Sequence, residues 1–470
     1  MRFSHLSQMN ISSYKSVHHQ TSSQKQLADL SFEESEELEK DLLIAINHIL
    51  DYFQNYLIDG EIKIMRKMLK NLCKYLLERV NSKAIPFYES VIDSHFLDFC
   101  VSRYSRSRQD SDQALYGLTI INYFALSDIR YAENIVKLGF IDLCFESLRF
   151  WYPAFAEKEI STLYYLYTLD ISYQFPQYDL TFLLQKIPDQ PNVNINKNCF
   201  KLLTLYVEKG YDSENLITQI LQLFTQFQVN ALYCFGIEWA YLYLQLFQSP
   251  YFEIELCMNG IFPEFFKECL FLDSICFPVL TEIFTIALTY FPMIIDRLSF
   301  NLDEFCQYGL TNEQNLQFYT FSCLYTIMRT NLSEKLGLNE QLLIDILQFA
   351  LNNTENDAYK LSKGKCYFLA ATATYFPKTF LKVTTFEIFV NLLNDMIATV
   401  ITDEDASIFF LAIITLNNES MHCSEYNSLK AKIANSQTIQ YLRELDQTIL
   451  PENFNELYTT LMNAFTLDEE

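Results

Sequence analysis

The chain has 470 residues, of which 50% are hydrophobic and 16% aromatic, with only 9 Gly and 11 Pro. So few turn-formers exclude a β-sandwich or a doubly wound sheet, and the apolar content excludes a chain without a core. A formal net charge of −24, from 58 Asp and Glu against 34 Lys and Arg, argues against a broad nucleic-acid interface, because phosphate contacts need a positive face. It favours a basic protein or peptide as partner.

Residues 1–31 are rich in Ser, Gln and His, lack periodic apolar positions, and read as a disordered tail. They also lack the apolar h-region of a secretory signal, so the expected location is the cytoplasm or nucleus. From residue 32 to 465 the pattern is helical. Ser31 and Glu34 have capping-box spacing, and Leu42, Ala45, Ile46, Ile49 and Phe53 fall on one helical face.

Further along, "SRYSRSRQDSDQ" at 102–113 gathers Arg103, Arg106 and Arg108 among serines. It reads first as a solvated loop capped by Ser111 or Asp112. Its second reading is a kinase-recognised loop, in which phosphate on Ser105 or Ser107 reverses the local charge. The stretch "ALYCFGIEWAYLYLQLF" at 231–247 crowds Tyr233, Trp239, Tyr241 and Tyr243 onto one helix. Core packing is the first reading, and contact with a partner through Tyr233, Trp239 and Tyr241 is the second. Aromatic abundance decides nothing by itself, since Phe, Tyr, Ile and Asn have AT-rich codons. The apolar run at 274–295 is cut by Pro278, Glu282 and Pro292, which suits a buried helix better than a membrane span. Residues 466–470 form a short acidic end.

The longer apolar helices stop at regular intervals. "ALTYFPMII" at 287–295 nearly recurs as "TATYFPKTF" at 372–380 and, more loosely, as "SYQFPQY" at 172–178. Stops read at Asp128, Pro176, Gly210, Pro250, Pro292, Asn331, Pro377 and Asn417 stand 34 to 48 residues apart, close to 41 on average. Proline lacks the N–H and clashes with the preceding turn, while Gly and Asn accept the left-handed cap. Different residues therefore end a unit of about 40 residues. Glycines precede several of the helices that follow, at Gly139, Gly260, Gly309 and Gly337.

No catalytic, cofactor or metal residue emerges. Gly364-Lys365 in "SKGKCYF" lacks the upstream glycine and the Ser or Thr of a phosphate loop. No nucleophile elbow, dinucleotide fingerprint or H-E-x-x-H occurs. Nothing pairs His5, His18, His19, His48, His95 or His422 with a nucleophile. The 12 cysteines include no C-x-x-C and read as reduced, buried small hydrophobes.

The stretch "ALYGLTIINYFALSDIRYAENIVKLGFIDLCFESL" at 114–148 resembles an armadillo repeat. It would hold the end of one unit's third helix, a short first helix, a glycine corner and a second helix. The resemblance implies an all-α, right-handed α-solenoid of armadillo- or HEAT-like repeats over 32–465. Third helices near 114–126, 160–173, 198–208, 231–247, 277–290, 315–329, 364–375 and 405–416 would line a groove. It implies a protein-binding scaffold without cofactor or membrane contact, whose partner is an extended segment or helix of another protein. A regulatory subunit of a larger complex is one alternative. The other is a nuclear import adaptor similar to importin alpha, and two departures count against it. Residues 1–40 offer only Arg2, Lys15, Lys25 and Lys40 as cations, and aligning Asn122 with that family's groove Asn, which nominates Asn122 for partner contact, puts Leu118 at its Trp position.

Overall fold

The computed structural model describes residues 32–465 apart from 56–61, 81–85, 107–110, 170–177, 188–191, 226–236, 261, 312, 353–356, 395, 402, 404, 423, 446–449 and 451–453. The expected tail 1–31, the acidic end 466–470, and Ser31, Ser107, Pro176 and Tyr233 lie outside the described residues. Among the described residues there are 26 α-helices, one 3-10 helix and no strand. They fall into two compact units, divided between Leu256 and Cys257.

The first unit contains α1 (Phe32–Asn55), α2 (Ile62–Val80), α3 (Glu89–Asp93), α4 (Phe96–Arg106), α5 (Ser111–Ser127) and α6 (Ile129–Lys137). It continues through α7 (Phe140–Phe150), α8 (Pro153–Thr168), α9 (Thr181–Lys186), α10 (Val193–Glu208), α11 (Glu214–Phe224) and α12 (Glu238–Gln248). Helices α2, α5, α8, α10 and α12 pack each on the next as a first row, while α7, α9 and α11 form a second row beside it. Neighbours in the first row run the same way, since Arg66 faces Asp112 at 3.7 Å and Cys73 further along α2 reaches the carbonyl of Tyr116 further along α5. Apolar side chains on most faces of α8 and α10 explain this placement, because a helix flanked by two row neighbours and a second layer must be apolar nearly all round.

Helix α13 (Ile254–Asn259) contains the unit boundary. The second unit holds α14 (Phe262–Cys269), α15 (Cys276–Tyr290), the 3-10 helix Pro292–Asp296, α16 (Leu302–Thr311), α17 (Gln314–Arg329), α18 (Glu340–Leu351) and α19 (Tyr359–Tyr375). Then follow α20 (Pro377–Val383), α21 (Phe386–Leu393), α22 (Ile397–Val400), α23 (Ser407–Ser420), α24 (Tyr426–Ala434), α25 (Gln437–Glu444) and α26 (Asn455–Ala464). Here α15, α17, α19, α23 and α26 make the first row. Corresponding positions again meet across successive helices. The amide of Ala358 donates to Gln314 at 3.1 Å, and the Thr372 hydroxyl to the Met328 sulfur at 3.7 Å, each pair 44 residues apart.

The helix breaks have the local chemistry that the sequence suggested. Phe291 and Phe376 end α15 and α19 with nearly the same backbone, φ −135 and ψ 56 against φ −132 and ψ 52. Each donates its N–H to the residue four back, Ala287 and Thr372, at 2.8 Å. The following proline opens the next helix, where its missing N–H leaves no bond unmade. Gly139 and Gly210 take φ of 76 and 75, a region that other side chains resist. Two readings are corrected. Gly309 lies inside α16 and opens no helix. It is small because a Cβ there would overlap the Thr320 hydroxyl and press on Phe277, so α16 closes tightly on α15 and α17. Asn417 also lies inside α23, buried and accepting from the Tyr426 hydroxyl at 3.1 Å, so that helix runs on to Ser420.

The run 274–295 becomes α15 and the short 3-10 helix. No helix among the described residues is long and apolar enough to cross a membrane.

Candidate functional site

Between the two ends of each row, every first-row helix leaves one narrow stripe uncovered. On α8 the residues that are not fully buried are 154, 157, 158, 161, 164, 165 and 168, a spacing of three and four. On α10 they include 194, 197, 198, 201, 204 and 208, and on α12 they are 238, 241, 245 and 248. Such spacing keeps one side of a helix facing outward. Successive row helices therefore offer a repeated strip of side chains within each unit.

Two of the sequence-nominated residues stand on these stripes. Asn122 on α5 is half-buried, and its amide donates to the Thr162 hydroxyl of α8 at 2.7 Å, while Thr162 donates to the Lys158 carbonyl. Tyr241 on α12 is half-buried, near the Lys201–Glu238 ion pair of 3.4 Å that joins α10 to α12. Trp239 is corrected. It is 1% exposed and meets Tyr243 edge-on at 5.9 Å, so its ring is core and presents no surface to a partner. Ser105 is half-buried on the last turn of α4, so the stretch 102–113 starts as helix rather than loop.

The second unit adds a constellation that sequence reasoning missed. Tyr325 on α17, Tyr367 on α19 and Phe409 on α23 form a ring ladder, with centroids 5.4 and 4.8 Å apart. Around it, Asp403 accepts from the Tyr367 hydroxyl and from Lys363, both at 2.8 Å. Asp405 accepts from Arg329 at 2.6 Å. Burial raises the phenols of Tyr367 and Tyr325 far above their ordinary value, and Asp403 beside Tyr367 adds to the rise. Both therefore act as neutral hydrogen-bonding rings at physiological pH. Lys360 lies 4.3 Å over the Phe318 ring. Burial lowers its ammonium from the usual value, while Glu282 opposes that shift. The two aspartates come from the segment just before α23, where neither a motif nor helical periodicity could have marked them.

A buried carboxylate also lies in the first unit. Glu159 on α8 is 0% exposed and accepts from the hydroxyls of Tyr104 on α4 and Ser147 on α7, the latter at 2.7 Å. It ties three helices together away from the stripe, which fits a structural role.

For chemistry, the ten described cysteines are all free and buried. No group of three or more His, Cys, Asp or Glu among the described residues could hold a metal ion. Burial pushes the thiols of Cys73, Cys199, Cys276 and Cys323 up to about 12. Thiols protonated in the fold but ionised in the unfolded chain, at about 8.5 and above, make stability fall as pH rises through that range toward about 12. The expected result with Ellman's reagent at about pH 8 is that these ten thiols stay unreactive until denaturant is added. Fast reaction of several of them in the native protein would contradict the packing.

The fold and the stripe together define an all-α class of protein in which successive helices pack in rows. The crystal structure of an engineered protein, a Northeast Structural Genomics Consortium target, has a similar fold, with TM-score 0.62 and 10% identity over 90% of this chain and 98% of that one. No family model matches the chain, and no curated protein matches its sequence.

Proposed function

We propose that this protein is a non-catalytic interaction scaffold that binds an extended segment or helix of a partner protein along the first-row stripes. The observation that carries this reading is the recurrence of one half-exposed polar and aromatic stripe on successive helices, through Asn122, Tyr164 and Tyr241 in one unit and Tyr325 in the other. Aromatic and amide side chains on a rigid support suit recognition of a peptide. The order of short helix, second helix and row helix, as in α6, α7 and α8, supports an armadillo-type solenoid with units of about 40 residues. HEAT-like geometry is the nearest variant. The net charge of −24 supports a basic partner drawn in by long-range attraction. Buried, reduced cysteines support a cytoplasmic or nuclear setting.

An adaptor similar to importin alpha fits less well. Leu118, at the position where that resemblance would need a groove Trp, is fully buried.

The test is an affinity capture from the source cell with the full chain, washed at low and high salt, beside a Tyr164→Ala/Tyr241→Ala bait. The expected result is a basic partner retained at low salt, released at high salt and lost with the variant bait. A partner held equally by both baits would overturn the stripe as the binding surface.

A further inference from the structure

Helix α2, "IKIMRKMLKNLCKYLLERV", inverts the charge of the chain around it. It carries six cations, Lys63, Arg66, Lys67, Lys70, Lys74 and Arg79, against the single acid Glu78. Burial of Met65, Leu69, Leu72, Cys73 and Leu76 fixes which side faces the core. That leaves Lys63, Lys67, Lys70 and Lys74, spaced i, i+4, i+7 and i+11, exposed together on the opposite side. At about 1.5 Å per residue the four ammonium groups extend along roughly 16 Å of helix. Arg66 turns aside to Asp112 at 3.7 Å, whereas Lys63, Lys67 and Lys70 are in no ion pair with a described residue.

Nothing in the fold calls for this stripe. Like charges three and four apart on a helix repel one another. Lys63 also stands in a first turn that has no acidic residue, where the helix dipole favours anions. Solubility is no reason for it either, because added lysines cancel part of the acidic excess that keeps such a chain dispersed. A local rule broken without a structural return marks a site kept for binding.

We infer that the exposed face of α2 is a docking site for a short acidic segment of a partner protein. Charge complementarity chooses the occupant. Lysine ammoniums are flexible point charges suited to single carboxylates, and an extended segment of about five residues, at roughly 3.3 Å each, matches the length of the stripe. A short segment meets only these lysines, whereas a nucleic acid or an anionic membrane would extend beyond them onto a chain whose net charge is −24 and which repels it. This is the outward face of α2, the first helix of its row, and the assignment does not depend on the partner proposed for the half-exposed stripes of α5, α8, α10 and α12.

The test is fluorescence anisotropy with a labelled hexaglutamate peptide and the full chain, repeated with a thymidine oligonucleotide and with phosphatidylserine vesicles. Wild type, Lys67→Glu/Lys70→Glu and Lys137→Glu/Lys209→Glu are compared, the last pair making the same change in net charge at exposed lysines elsewhere. Circular dichroism confirms that each is folded. The expected result is saturable binding of hexaglutamate, weakened at least tenfold by the α2 variant and less than twofold by the control. Equal weakening by both variants, no binding by wild type, or stronger binding of the oligonucleotide or vesicles would each overturn the assignment.

Discussion

Replacing Asp357 by Ala lowers the stability of the full chain by about 3–5 kcal/mol, the cost of leaving a buried charge without its counter-ion. Lys365 lies within a run of ten consecutive buried residues, 364–373, in the middle of α19. Its Nζ meets Asp357 at 2.6 Å, with side-chain exposures of 5% and 6%. Asp357 stands two residues before α19 begins, where a negative charge also suits the helix N-terminus. Removing both charges as Lys365→Met/Asp357→Leu is expected to restore the urea midpoint most of the way, because packed apolar side chains replace a buried pair with little loss. A neutral Asp357→Ala would mean that the ammonium reaches water, and that α19 is less enclosed than the row packing requires.

Trp239→Ala is the second large effect, expected to cost about 3–5 kcal/mol as a buried aromatic truncation. The ring belongs to an aromatic path that joins three helices. Phe200 stacks on Phe224 at 5.9 Å, Phe224 on Tyr243 at 4.4 Å, and Tyr243 meets Trp239. Tyr241→Ala, on the stripe, is expected to cost less than about 1 kcal/mol of stability, as surface changes do, while reducing partner capture. Urea unfolding and capture measured on both variants separate core from surface on one helix. If Trp239→Ala left stability unchanged and abolished capture, the placement of these two rings would be reversed.

The helical class and the places where helices end were legible because their causes are local. The "TYFP" breaks at Phe291 and Phe376 need only a proline and one backbone conformation, and Gly139 and Gly210 need only a positive φ. Asn417 misled because an Asn that can cap a helix can equally be buried inside one, held by Tyr426 at the start of the next helix. Gly309 misled for a similar reason, since its role is a close approach to Thr320, a contact between helices rather than a turn. The stripe was half legible. Tyr241 was found by pattern and Asn122 through the armadillo resemblance, but Trp239 and Tyr241 are two positions apart on one helix, and only the packing of α10 and α11 against α12 decides which ring turns inward. Asp403 and Asp405 could not be found, because they meet Tyr367, Lys363 and Arg329 only after α17, α19 and α23 have stacked. The lysines of α2 were visible in sequence, but their common exposure depends on which side of the helix the core claims.

Partner binding is proposed to run along the stripes of the first-row helices. Hydroxyl-radical footprinting of the full chain, with and without the captured partner, tests it most directly, because it reports side-chain exposure residue by residue. The expected result is protection of Tyr164 and Tyr241, or of Tyr325 and its neighbours on α17 and α19, with the exposed Phe150 and Tyr152 unchanged. Protection of Phe150 and Tyr152 with the stripe still labelled would contradict it.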